Sequence, residues 1–208
     1  MRELLVTINT YDKIAEKYEI RYGKIKKSGL PYLHEFIKLL PSSETKILDA
    51  GCGTGRDLLH LENFLDELYG VDLSSGMINI AKRKLRKTIL IKADITNLPF
   101  PDNHFDGVMS VSTLVHLPFE EKKKAISEFW RVLKPSGILY LNIQNLLYLP
   151  RLLRCIRHWS RNGVFYDNRY WYFPTKYSMK KLLENNGFTN VRSPSSQLDK
   201  RLIFYATK

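Results

Sequence analysis

The sequence predicts an α/β protein: a three-layer α/β/α sandwich around a doubly wound, mostly parallel seven-stranded sheet. Three observations predict it. Strand-like apolar runs alternate with segments of helical periodicity through the middle of the chain. A glycine-rich turn, Gly51, Gly53 and Gly55, follows the first of those runs directly. The chain has 208 residues, 44% hydrophobic and 26% charged, the composition of an ordinary globular protein with enough length for one sizeable core.

The elements follow in order, within a single domain spanning 1–208. TYDKIAEKYEIRY and LPYLHEFIKLL carry helical spacing (Tyr11, Ile14, Ala15, Tyr18; then Leu33, Phe36, Ile37, Leu40) and form an N-terminal cap, 1–43. Residues 44–143 hold five strand-like runs: KILDA (46–50), LYGVD (68–72), ILIKA (89–93), FDGVMSV (105–111) and GILYLNI (137–143). The intervening helices fall near 55–65, 75–86 and 119–133, the last stopped by Pro135 and Gly137. Alternation of this kind gives right-handed crossovers and a parallel sheet. At 144–174 the pattern breaks into a Leu-, Arg- and aromatic-rich insertion. Residues 175–208 then supply a helix, SMKKLLENNGF, and two short strands near 188–192 and 201–207.

Composition narrows the function classes. No apolar run approaches the roughly 20 residues needed to span a bilayer, and the first residues lack the apolar core of a signal peptide, so a cytoplasmic location is expected. Cys52 and Cys155 read as free thiols. The five histidines show no ligand spacing, and no metal is expected. With 33 Lys+Arg against 21 Asp+Glu the formal charge is +12. That balance favours encounter with polyanions such as RNA or an acidic membrane surface, or it reflects Lys-rich solvated faces, to which KRKLRK (82–87) is assigned.

The turn ILDAGCGTGRD has the spacing G-x-G-x-G, with Arg56 where a dinucleotide fingerprint places its third glycine, and an acid, Asp49, just before it. A carboxylate there repels a pyrophosphate and suits a ligand with a positive amino group. Asp72 ends the second strand, 21 residues after Gly51, where its carboxylate can accept from both hydroxyls of a ribose; Asp94 follows the third strand after another 22. Three acids at successive strand ends line the edge of the sheet where ligands bind.

On these residues the chain resembles the class I, Rossmann-like, S-adenosylmethionine-dependent methyltransferases, of the small single-domain type. FDGVMSVSTLVHL and RVLKPSGILYL resemble that family's fourth motif and the approach to its fifth strand, with Ser136 departing from the usual Pro-Gly-Gly; Gly137 is expected to serve the turn. The resemblance covers about residues 10–143 closely and 175–207 in outline. It implies an antiparallel last strand and S-adenosylmethionine as cofactor, with S-adenosylhomocysteine as product. It places Asp94 on the adenine amino group and the backbone of Ile95 against the ring. Gly51, Cys52, Gly53, Gly55, Leu73, Met77 and Ser110 complete the expected cofactor contacts. Tyr11 and Tyr18, in a Y-D-x-I-A-x-x-Y pattern, either close over the cofactor or pack on the sheet.

Methyl transfer from a sulfonium mainly needs an acceptor lone pair held in line, so no universal catalytic residue is required. His116, just after the fourth strand, is the candidate base; alternatively it contacts the cofactor or caps the loop before Pro118. Acceptor contacts are expected from the insertion, in particular Arg169, Tyr170, Trp171 and Tyr172, beside Arg151, Arg154, Arg157, His158, Trp159, Arg161, Phe165, Tyr166 and Phe173. Arginines interleaved with aromatics can hold bases and phosphates, wall a small-molecule pocket, or form a lid; LLYLPRLLRCIRHW also has an amphipathic basic look. A small-molecule acceptor is favoured over RNA, with a resemblance to the enzymes that finish modified wobble uridines in transfer RNA as the second reading. A non-catalytic cofactor-binding protein and a dinucleotide-dependent oxidoreductase are the alternatives from other classes. The oligomeric state does not follow from the sequence.

Overall fold

A computed structural model describes residues 2–24, 30–41, 45–148, 164–166 and 169–208. Two helices open the chain, α1 (Arg2–Tyr22) and α2 (Leu30–Leu39). The alternating core follows: β1 (Lys46–Ala50), α3 (Arg56–Leu61), β2 (Glu67–Asp72), α4 (Ser75–Lys84), β3 (Ile89–Lys92), β4 (Phe105–Val111), a 3-10 turn (Leu114–His116), α5 (Phe119–Val132) and β5 (Leu133–Gln144). A short hairpin, β6 (Val164–Tyr166) and β7 (Arg169–Trp171), precedes α6 (Lys176–Asn185), β8 (Thr189–Arg192) and β9 (Arg201–Thr207). Among the described residues, no helix is long and apolar enough to cross a membrane.

Seven strands form one sheet in the order β3-β2-β1-β4-β5-β9-β8. The first five are parallel; β9 runs antiparallel to β5 and to β8, as the resemblance implied. Both faces of a parallel sheet must be covered, and the side-chain alternation of β1 shows how. Leu48 and Ala50 face α5 and α6 through Ala125, Ile126, Phe129, Met179 and Leu183. Ile47 faces α2, α3 and α4 through Phe36, Leu58, Leu61, Ile78 and Ala81. The order reverses between β1 and β4, which opens a crevice at their carboxyl ends.

Two local details depart from expectation. The fifth strand begins at Leu133 rather than 137, because α5 ends at Val132 and passes straight into it; its pairing with β4 shifts between Phe105 and Gly107, an irregularity that accommodates Pro135. The left-handed position in this turn is Ser136, at φ 66°, and not Gly137. Gly137 answers a different need, since a Cβ there would sit 2.8 Å from the Lys134 carbonyl oxygen. The sequence also gave no sign of the β6–β7 hairpin within the insertion. Arg151, Arg154, Arg157, His158, Trp159, Arg161 and Cys155 lie outside the described residues, as do the side chains of Phe165 and Tyr166.

Candidate functional site

The crevice is built by the loop after β1. Gly51 and Gly53 adopt φ of 88° and 54°, which lets the chain reverse within two residues while the backbone N–H groups of Gly51 and Cys52 both bond the Val71 carbonyl. A Cβ on Gly51 would collide with Thr113, whereas one on Gly53 would meet nothing within 4 Å and so project into open space. Asp72, at the end of β2, accepts from Gly53 N–H on one oxygen and from Ser74 N–H on the other, each at 2.9 Å. Those bonds fix the carboxylate and leave a lone pair on each oxygen for a ligand. Asp94, after β3, is held by Thr96 N–H at 2.8 Å through one oxygen.

These groups line a cleft together with Tyr11, Tyr18, Leu73, Met77, Ile95 and His116. Sequence reasoning named all of them. It did not name Leu4, Thr7 and Ile8 of α1, or Ser112 and Thr113 after β4, which also line it. Asp49, Cys52, Gly55 and Ser110 do not. Ser110 spends its hydroxyl on the Ala50 carbonyl at 2.7 Å, and the Cys52 thiol is buried, its backbone N–H already taken. Gly55 serves the backbone, at φ 74°, a conformation that L side chains rarely adopt. Asp49 is buried with one carboxylate oxygen lacking any hydrogen bond, and burial together with Asp57 pushes its pKa well up. An orphaned carboxylate at this edge is the group that an ammonium or a bridging water would satisfy.

α1 closes the cleft, and its docking is specific. One Asp12 carboxylate oxygen accepts from Ser74 Oγ at 2.6 Å and from Gly76 N–H at 2.8 Å, tying α1 to the start of α4. Ala15 packs on Met77 and Ile80, and a Cβ on Gly76 would lie 2.9 Å from the Asp12 carbonyl oxygen. Arg83–Glu16 and Lys84–Glu19 join the same pair of helices, and Lys87 pairs with Asp66. Three of the five basic residues in the run 82–87 are therefore paired with carboxylates of this chain.

A second, larger cavity of about 660 Å³ adjoins the cleft and shares Tyr11, Tyr18, Val111, Ser112 and His116 with it. That volume suits a small organic ligand. Arg169 and Trp171 of β7, two of the residues expected to contact an acceptor, line this cavity. Tyr170 and Tyr172 do not. Tyr170 is buried, and Tyr172 packs beneath the ammonium of Lys122, a buried lysine whose pKa burial lowers to about 7.

His116 sits between the two spaces. Its Nδ1 is 2.8 Å from the Tyr170 carbonyl oxygen and its Nε2 2.8 Å from the Tyr11 hydroxyl. A carbonyl can only accept, so Nδ1 carries the proton and Nε2 accepts from Tyr11. Burial lowers the imidazole pKa to about 4, helped by Arg169 and Lys122, and raises that of the Tyr11 phenol. Arg169 Nη1 donates to Tyr11 at 3.3 Å, and its guanidinium lies over the Tyr11 and Trp171 rings.

The chain is similar in sequence and fold to known proteins. Residues 48–141 match the family described as a methyltransferase domain. Phosphoethanolamine N-methyltransferase of Plasmodium falciparum is 29% identical over 137 residues, covering 62% of this chain and 52% of its own. The tRNA (carboxymethyluridine(34)-5-O)-methyltransferase of Arabidopsis thaliana is 36% identical over 136 residues, 64% of this chain and 31% of its own. This chain thus spans about half or less of the length of these two curated relatives. A solved structure from Thermotoga maritima, a SAM-dependent methyltransferase and possible histamine N-methyltransferase, superposes with a TM-score of 0.69 at 24% identity over 96% of this chain and 99% of that one, and so shares the fold.

Proposed function

We propose that the chain is a class I, Rossmann-like, S-adenosylmethionine-dependent methyltransferase, a reading supported by the match of residues 48–141 to a methyltransferase domain. The reaction is transfer of a methyl group from S-adenosylmethionine to a small-molecule acceptor. The observation that carries this reading is the pair of adjoining spaces, one edged by Asp72 and Asp94, the other walled by β7 residues, meeting at Tyr11 and His116.

Bound in the cleft, S-adenosylmethionine supplies a methyl group on a positively charged sulfur, already an activated electrophile. The remaining work is positional. Asp72 would take the ribose hydroxyls on the two lone pairs that its backbone bonds leave available. Asp94 and the backbone of Ile95 would hold the adenine, Leu73 and Met77 would pack beside it, and Asp49, behind the cleft wall, would receive the amino group through a bridging water. Gly53 leaves the space that a side chain would fill. α1, pinned by Asp12, covers the cleft and keeps water out. His116 is a positioning residue in this reading. With a pKa near 4 it is a poor proton acceptor at neutral pH, and its free lone pair is spent on orienting the Tyr11 phenol between the two spaces.

Small-molecule transfer is favoured over RNA because the acceptor-side space has the volume of a small organic ligand, about 660 Å³, and because three of the five basic residues in the run 82–87 are paired internally. Calorimetric titration with S-adenosylhomocysteine tests the cofactor assignment. We expect micromolar binding, weakened at least tenfold in Asp72→Ala, since two charge-assisted hydrogen bonds of about 1.5–3 kcal/mol each are removed, and no binding of NAD. Binding of NAD, or none of either, overturns it.

A further inference from the structure

The larger cavity contains a guanidinium that no carboxylate among the described residues neutralises. Arg201, the first residue of β9, directs Nη1 to Ser112 Oγ at 2.6 Å and to Asn142 Oδ1 at 2.9 Å, both neutral acceptors. The two carboxylates in the cavity wall are engaged elsewhere. Asp57 holds Arg56 through two bonds, at 3.0 and 2.6 Å, and Asp199 accepts from Ser196 N–H at 2.6 Å. Burial and the neighbouring Arg56 both act against the charge of Arg201 and lower its pKa. A cation left in such a setting costs free energy that a bound anion would recover.

A second unsatisfied group lies in the same wall. Gln144, at the end of β5, has a buried amide oxygen with no hydrogen-bond partner. It calls for a donor, and a ligand hydroxyl or N–H would provide one. Tyr140 and Trp171 add flat apolar surface. Among the described residues the cavity thus presents a cation with neutral partners alone, an acceptor without a donor and aromatic walls, beside the cleft read as the cofactor site.

We infer that this cavity binds a small planar acceptor bearing an anionic group, a carboxylate or a phosphate, which Arg201 grips while Gln144 accepts from a neutral donor on the same molecule. Calling that ligand the acceptor rests on the methyltransferase reading; the anion preference itself rests on Arg201.

The test uses three probes on the full chain, alone and saturated with S-adenosylhomocysteine: 4-hydroxybenzoate, phenyl phosphate, and 4-hydroxybenzamide as the neutral isostere of the first. Dissociation constants come from calorimetry. We expect at least one anion to bind at least tenfold more tightly than the amide, with the benzoate and phosphate arms separating the two anion classes. The preference should vanish in Arg201→Gln and survive in part in Arg201→Lys, with S-adenosylhomocysteine affinity unchanged in both. Two results overturn the inference. One is binding of neither anion better than the amide by the wild-type protein, which needs no variant to fold. The other is a tenfold or greater loss of S-adenosylhomocysteine affinity in Arg201→Gln, which would assign the guanidinium to the methionine carboxylate instead. Failure of the wild-type chain to bind S-adenosylhomocysteine would sink the methyltransferase reading while leaving the anion preference readable.

Discussion

His116 has both ring nitrogens occupied, and that dictates its ionisation. Protonation would require Nε2 to give up the Tyr11 hydroxyl as donor and a charge to be placed in a buried setting beside Arg169. We therefore expect nitrogen-detected NMR to show the Nδ1–H tautomer, with no titration of this ring between about pH 5.5 and 8, given a pKa of about 4. Tyr11→Phe removes the donor to Nε2 and should shift the ring's titration upward. A wild-type midpoint near 6.5 would refute the neutral assignment and restore His116 as a base. His116→Ala should lower methyl transfer at least tenfold, because it deletes the partner that orients Tyr11. The candidate residue was visible in the sequence from its place after the fourth strand. Its ionisation was not, because the carbonyl that fixes the tautomer belongs to Tyr170, 54 residues away.

Among the elements, the strands and helices of 46–132 were legible because each is set by local periodicity. Their ends were fixed by capping groups such as Ser74, whose Oγ accepts from Met77 N–H. What escaped notice depends on contacts distant in sequence. The Y-D-x-I-A-x-x-Y motif drew attention to its tyrosines, yet Asp12 does as much by joining α1 to α4 across more than 60 residues. The turn at 135–137 shows the same dependence. Gly137 was expected to serve it, but the left-handed position is Ser136, at φ 66° and exposed, while Gly137 is kept small by the Lys134 carbonyl. An L-residue in that region costs about 1–2 kcal/mol, and glycine gives back part of the gain through a more flexible unfolded chain. Ser136→Gly should accordingly stabilise the protein by about 0.5–1 kcal/mol, read as a Tm rise of about 1–4 °C. Gly137→Ala, one residue on, should destabilise it. Equal effects at the two positions would contradict this division of labour.

For the whole molecule the question is what a formal charge of +12 is for. Composition alone left RNA and a solvated face as open readings, since charge counts carry no geometry. In the folded chain Arg83, Lys84, Lys87, Lys123, Lys124 and Arg131 each pair with a carboxylate, so local fields are smaller than the net charge suggests. Arg201 differs in lying inside a cavity, where its bonds go to the neutral acceptors Ser112 and Asn142. The net charge should still produce weak, sequence-independent binding to polyanions, and that binding is dominated by counterion release. We expect bulk transfer RNA to bind in about 50 mM salt and to lose at least tenfold in affinity by about 200 mM, with S-adenosylhomocysteine affinity unaffected by the same change. Transfer RNA at the higher salt should not displace 4-hydroxybenzoate from the cavity, because diffuse surface attraction does not compete for Arg201. Displacement that persists at high salt would mean that a nucleotide of the RNA enters the cavity itself, and the acceptor would then be a base or ribose presented by the polymer rather than a free small molecule.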